Sequence, residues 1–211
     1  MAARSRNSSE AVSRNPTSQA FWRRKTPDIA RRLIGSLLRV RDSKGVVSVR
    51  IVETEAYLSQ GDPASHSYRG QTKRNAAMFG PPGHAYVYFC YGAHTMLNFT
   101  TGPGGIGEAV LIRAAEPVTG LARIARRRGL SAADRREGGF PRRLMGGPGR
   151  VTRALGVRLS DNHATLGRGR FSLRTASRNA RIVRTTRVGL TRGAAMRLRF
   201  YDADSPAVSR R

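Results

Sequence analysis

The sequence predicts a single mixed α/β domain, of the α+β kind, whose sheet is largely antiparallel. Three observations lead there. An apolar stripe at helical spacing opens the chain near residues 26–40. Short β-branched and aromatic runs, bounded by glycine and proline, then recur to the end. No repeat and no linker divides residues 21–211, and a chain of 211 residues is long enough for one sizeable core.

Residues 1–20 are Ser, Asn, Arg and Ala with no apolar period, and are expected to form a disordered basic tail. A tail without a role of its own is a better reading than a DNA tether. Thr26, Pro27 and Asp28 read as a helix start: a capping hydroxyl, a proline in the first turn, an acid at the positive end of the dipole. Ala30, Leu33, Ile34, Leu37 and Leu38 continue the stripe, so the helix is expected to run to about Val40. Asp42 to Gly45 then turn into a strand.

That strand is the centre of the chain. It reads VVSVRIVETEAY, Val46 to Tyr57. Alternation places Val47, Val49 and Ile51 on one face with Glu53, Glu55 and Tyr57. An apolar face thus runs into two carboxylates in a chain with only 13 acidic residues against 39 basic ones. A buried carboxylate needs a partner or a task. On spacing alone, pairing with arginines such as Arg50 and a functional role stay equally open.

After a break at Gly61, Asp62 and Pro63 comes a loop with His66, Arg69, Lys73, Arg74 and Asn75, side chains that suit phosphate. A solvated basic loop fits it at least as well. HAYVYFCY and TMLNFTT flank Gly92 and Ala93 as a hairpin. Tyr86, Tyr88 and Cys90 share one face; Val87, Phe89 and Tyr91 share the other, with Tyr91 beside the turn. The glycine-rich stretch 102–107 lacks a phosphate-loop lysine and a dinucleotide fingerprint. A strand is expected over Glu108 to Ala114, a helix over Val118 to Arg128 with Leu121, Ile124 and Ala125 inward, and a polar loop over 131–143. GGPGRVTRALGV, Gly146 to Val157, opens a short helix whose N-terminus, with Arg150 and Arg153, suits a DNA phosphate; solvated arginines on a surface helix are the plainer reading. RFSLRTA, RIVRTTRVGL and MRLRFYD are expected strands.

The net charge of +26 is almost all arginine and calls for a polyanionic partner, most simply nucleic acid. Cys90 is the only cysteine, which excludes an intrachain disulfide and a multi-cysteine zinc site. His66, His84, His94 and His163 show no metal-ligand spacing. No apolar run reaches membrane length and no secretory signal opens the chain, so an intracellular, cytoplasmic location is expected.

Taken together, the motifs resemble the alkyladenine (3-methyladenine) DNA glycosylases of the mammalian type. The resemblance covers about Thr26 to Ser209 and rests on RIVETEAYL, the His66-to-Asn75 loop, PPGHAYVYFCYG, AVLIRAAEP, GPGRVTRALG, and RVGL followed by RFY, all in order. It implies a curved sheet with flanking helices and a protruding β-hairpin. It implies that Glu55 activates the attacking water, with Arg113 beside that water and the carbonyl of Val188 holding it. Tyr57, His66 and Tyr88 would wall the base pocket, Tyr86 would support the histidine, and Asn98 would crowd the amino group of guanine. Tyr91 would wedge into DNA where the damaged nucleotide leaves. Glu53 lies in the motif but is given no catalytic role. The hairpin tip departs from the family pattern at Ala93 and Thr95, where similar proteins carry bulkier residues.

These residue types fit the chemistry. A base must leave the stack to be cut, and an inserted ring offsets part of that cost. Alkylated purines such as 3-methyladenine are cations, which tyrosine faces attract. Cleavage builds positive charge on the sugar, which an ionised carboxylate stabilises while taking a proton from water. The expected partner is double-stranded DNA containing damaged purines, bound by a monomer with no cofactor, no metal and no membrane contact. Two rivals remain. One is a basic nucleic-acid-binding protein without catalysis. The other is a glycan hydrolase using Glu53 and Glu55, which lie roughly 6.5–7 Å apart if they share a strand face.

Overall fold

A computed structural model describes residues 19–90, 92, 94–167, 169–175 and 180–211. The expected tail lies outside them except for Gln19 and Ala20, which open a short helix, α1 (Gln19–Trp22). The architecture is the predicted one: a mixed α/β domain built on a curled, antiparallel sheet with a few helices.

Helix α2 (Thr26–Leu33) begins where expected, with Pro27 in its first turn, but Lys25 is the N-cap. The Thr26 hydroxyl instead bonds Thr101 at 2.7 Å and Glu108. The helix also stops seven residues short of Val40. Gly35 turns left-handed at φ 86°, and residues 37–42 become strand β1 (Leu37–Asp42). Leu38 and Val40 are buried while Arg39 and Arg41 are exposed. That period-two pattern won over the helical stripe because β2 (Gly45–Tyr57) offers an antiparallel partner one tight turn away.

Strand β2 is the hub. One edge pairs with β5 (Ala109–Thr119); the other pairs with β1 at its start and with β8 (Arg199–Asp202) at its end. The hairpin β3 (Ala85–Cys90) and β4 (His94–Thr100) extends the sheet beyond β5. Beyond β1 lies β6 (Phe171–Arg174), and β7 (Ile182–Thr185) pairs with β8. Strand β5 is longer than expected: it continues through Glu116 and Pro117 to Thr119, paired with β2, so α3 starts at Leu121 (Leu121–Arg128). Leu121 is exposed rather than inward; Ile124 and Ala125 are buried. The expected polar loop 131–143 contains the start of α4 (Phe140–Met145), whose Leu144 and Met145 reach the core. Helix α5 (Pro148–Leu155) is as expected. Helices α2 to α5 pack Ile29, Leu33, Ile124, Leu144, Val151 and Leu155 against Leu38, Val47, Val49 and Ile51 in one core.

The face assignment along β2 is overturned. The register with β5 skips Val52 and Arg113, which are bulge residues. Val47, Val49 and Ile51 share the main core with Ala56. Thr54 points the same way, donating to the carbonyl of Ala30 in α2 at 2.9 Å. Val52 packs on the other side, with Ala114 and Ala207. Glu53, Glu55 and Tyr57 therefore leave the core face.

The 58–75 loop is pinned to the sheet by a buried ion pair. Arg187 donates two parallel bonds to Asp62, each 2.6 Å, and both side chains are 0% exposed. Removing one partner leaves the other charge buried alone, which costs about 3–5 kcal/mol. Asp62→Ala should lower unfolding stability by that amount in urea titration. A loss below about 1 kcal/mol would show that the pair does not hold the loop.

Candidate active site

The β2 and β5 bulges place two carboxylates and one guanidinium together. Glu53 and Glu55 are both fully buried. Glu53 takes four donors: Arg113 Nε at 3.1 Å, Arg199 Nη1 at 2.9 Å, and the backbone N–H and hydroxyl of Ser209 at 2.7 and 2.9 Å. Glu55 takes three. Val188 N–H donates to Oε1 at 2.8 Å, while the Tyr57 hydroxyl and Arg113 Nη1 reach Oε2 at 2.9 and 3.4 Å. A carboxylate offers about four lone-pair sites. Three of the Glu53 bonds fall on Oε1 and one on Oε2, while Oε1 of Glu55 takes a single donor, Val188, among the described residues. Arg50, the partner suggested by sequence, forms no ion pair with either acid among the described residues.

The electrostatics follow. Burial works against the charge on Arg113, but the Glu55 and Glu53 carboxylates outweigh it and raise its pKa. Burial and then the Glu55 carboxylate push the Tyr57 hydroxyl well above the ordinary phenol value, so it stays a donor.

A cavity of about 320 Å³ opens beside this cluster. Its wall includes Tyr57, His66, Tyr86, Tyr88, Asn98, Arg113 and Val188, which brings together every base-pocket residue expected from sequence. Hairpin alternation does this: Tyr86 lies opposite Asn98 and Tyr88 opposite Met96, all on one face. Asn98 donates to the Tyr86 carbonyl at 3.1 Å. His66 Nδ1 and the Tyr86 hydroxyl are 2.9 Å apart, and the His66 and Tyr88 rings meet edge-on at 4.6 Å. Burial pushes the Tyr86 pKa up to about 12. Glu55 itself is not part of the wall; Tyr57, Arg113 and Val188, which hold it, are.

The expected backbone contacts divide into two groups. Arg69, Lys73 and Arg74 are exposed on the loop, with Arg74 donating to the Phe89 carbonyl at 3.2 Å. Arg150 and Arg153 are exposed on α5 and line a second, larger cleft that shares Met96, Arg113, Pro148 and Val188 with the first. Arg128 joins them there; burial and then the Arg150 and Arg153 cations depress its pKa. Tyr91, the expected wedge, and Ala93 lie outside the described residues; Thr95 precedes Met96 in β4.

Sequence reasoning missed Asp62, Arg187, Arg199 and Ser209. Asp62 in a Gly-Asp-Pro break read as turn chemistry, and nothing local distinguished Arg187 or Arg199 from the other arginines. Met78, Met96 and Leu111 in the cavity wall also escaped it, since each reads as ordinary core.

The sequence matches a known family. A model of methylpurine-DNA glycosylase matches residues 20–206. The chain belongs to the methylpurine-DNA glycosylase family. It is 48% identical to a protein of Methanoculleus marisnigri over 91% of this chain and 97% of that one. It is 43% identical to a protein of Corynebacterium glutamicum over 87% and 91%, and 41% identical to one of Chlorobaculum parvum over 90% and 88%. All three carry the name "Putative 3-methyladenine DNA glycosylase". These relatives are bacterial and archaeal, so membership stands at the level of the family and not of its mammalian type.

His66 is the one histidine among the described residues of the cavity wall. Its ring packs against Tyr86 and Tyr88. Crowding by the protein, and then the Arg74 cation, lower its pKa below 6.5. The folded ring thus binds a proton less readily than the unfolded one, so stability falls as pH drops below 6.5. Titration of the His66 ring by NMR should give a midpoint under 6.5, and Arg74→Ala should raise it. A midpoint at or above 6.5 in the parent would contradict this crowding.

Proposed function

We propose that this chain is a DNA glycosylase that removes alkylated purines from duplex DNA by water attack. The observation that carries the reading is the buried Glu55 carboxylate, held by three wall residues of an aromatic cavity with one lone pair left over. The damaged nucleotide rotates out of the helix, and its base enters between Tyr57, Tyr88 and His66. A cavity of about 320 Å³ is at the small end for ligand pockets and suits a single base. The tyrosine faces favour the cationic charge of an alkylated purine. Asn98, tied to the Tyr86 carbonyl, crowds the position of a guanine amino group.

The N-glycosidic bond breaks with its electron pair going to the base, which leaves neutral if it entered as a cation. Positive charge develops on the sugar, and the negative charge of Glu55 stabilises it. Water, held by Arg113 and the Val188 carbonyl, adds to the sugar carbon and gives its proton to Glu55. The three donors on Glu55 fix its orientation and leave Oε1 with a lone pair that can accept. Lys25, Lys44 and Lys73, the only lysines, are absent from both cavity walls, which supports water as the nucleophile instead of an amine. Tyr91, which follows β3 in the sequence, fills the stack that the nucleotide vacates. Arg69, Lys73, Arg74, Arg150 and Arg153 hold the phosphates.

A non-enzymatic DNA-binding role would explain the charge but not a buried carboxylate beside an aromatic cavity. The glycan-hydrolase reading is weaker still, since Glu53 is fully buried and engaged by four donors from Arg113, Arg199 and Ser209.

The test is base release from duplexes that each carry one alkylated purine. Glu55→Gln should lose about 10²–10⁴-fold in single-turnover rate while keeping DNA affinity. Glu53→Gln should chiefly lose stability. Near-parental excision by Glu55→Gln would sink the assignment. Tyr91→Ala should lose flipped complex, with stacking worth about 1–3 kcal/mol. Its excision should recover when the lesion sits opposite a gap, because an unpaired base is easier to extrude. An equal defect on paired and gapped substrates would remove the wedge role.

A further inference from the structure

The two oxygens of Glu55 are held by different parts of the chain. Oε1 is met by the Val188 backbone, in the loop between β7 and β8; Oε2 is met by the Tyr57 hydroxyl, at the end of β2. Neither holder is rigid by itself. Val188 belongs to no strand, and a tyrosine at a strand end can swing about its χ1 angle. One buried side chain touches both. Arg187 immediately precedes Val188, so fixing its side chain fixes the adjoining peptide. Its Cζ lies 4.6 Å from the centre of the Tyr57 ring. Its Nη1 donates to the Ala56 carbonyl at 3.0 Å, anchoring the loop to β2 beside Tyr57. Asp62 completes the brace with two 2.6 Å bonds to the same guanidinium. Arg187 lines neither the cavity nor the cleft, so it has no direct path to substrate.

We propose that Arg187, clamped by Asp62, is a positioning residue that sets the Val188 and Tyr57 hydrogen bonds to the Glu55 carboxylate, two of the three it receives. The forked guanidinium is required for this. It must meet Asp62 with two bonds, reach Ala56 and cover an aromatic face at once, which an ammonium cannot do. The pair also explains why a full charge is buried here, when matched apolar side chains would serve stability as well or better.

The geometry stands independently of the reaction, but its effect on rate rests on the glycosylase reading above. Single substitutions strand a buried charge and confound folding with positioning. The double variant Asp62→Leu/Arg187→Met removes both charges together and keeps the site filled. It should unfold near the parental urea midpoint and bind alkylated duplex within a few-fold of the parent. Its single-turnover excision at saturation should fall on the order of 10²-fold, as expected for a small misplacement of a reacting group. Amide hydrogen exchange at Val188 should accelerate while core amides keep their protection. Arg187→Lys should recover less than half of the lost rate.

A folded double variant with parental rate and unchanged Val188 exchange would overturn the proposal. So would a variant with weakened DNA binding and unchanged saturating rate. If the parent itself releases no base from any alkylated duplex, the glycosylase reading fails. Val188 exchange then decides the clamp alone: acceleration in the folded double variant upholds it, and no change rejects it.

Discussion

Two carboxylates without solvent exposure, Glu53 and Glu55, impose the main constraint on this molecule. An ionised carboxylate taken out of water costs several kcal/mol unless donors replace the water. The fold supplies seven such bonds from five segments: Arg113 on β5, Arg199 on β8, Tyr57 on β2, and the loop and terminal segments that carry Val188 and Ser209. Satisfying the two acids thus ties residues near 200 to residues near 55. The segment around Ser209 is held against the sheet by the same need, with Ala207 packed on Val52 and Ala114.

The two acids nevertheless have different standing. Glu53 takes four bonds and aligns Arg113 and Arg199 with the terminal segment at Ser209. Glu55 shares Arg113 with it, but all three of its holders line the cavity, so it sits directly behind the cavity wall. The difference arises from a bulge. Without the extra residues at Val52 and Arg113, alternation would return Glu53 to the apolar core, opposite helix α2, where Ile29, Ala30 and Leu33 offer no charge. A bulge that re-aims side chains near a site is a common use of the device. Here it converts one continuous strand from core element to site element halfway along its length.

Charge is distributed by the same logic. Buried cations, Arg113, Arg187 and Arg199, are matched to Glu53, Glu55 and Asp62. Most of the other arginines among the described residues form no ion pair with an acid, in a chain whose net charge is +26. Three of them, Arg128, Arg150 and Arg153, crowd one cleft next to the cavity, where burial and then the Arg150 and Arg153 cations lower the pKa of Arg128. Such unpaired crowding raises the free energy of the isolated protein and is relieved by a polyanion.

Much of this was legible in the chain. The antiparallel sheet, the hairpin and its inward face followed from period-two alternation, which depends only on neighbouring residues. Tyr86 and Tyr88 were on one face before any coordinates, and they line one cavity. The unusual pair of acids in an arginine-rich chain marked the site. Three things were beyond local pattern. Residues 37–42 fit a helix and a strand equally until β2 was there to pair with them. The flip of Glu53 and Glu55 off the core face came from bulges, which are set by register between β2 and β5 and have no signature within either strand alone. The partners Asp62, Arg187, Arg199 and Ser209 are far apart in sequence and ordinary in type. Their roles arise because burial removes water from the carboxylates and the guanidinium, and only the closed tertiary fold decides which charges are buried together.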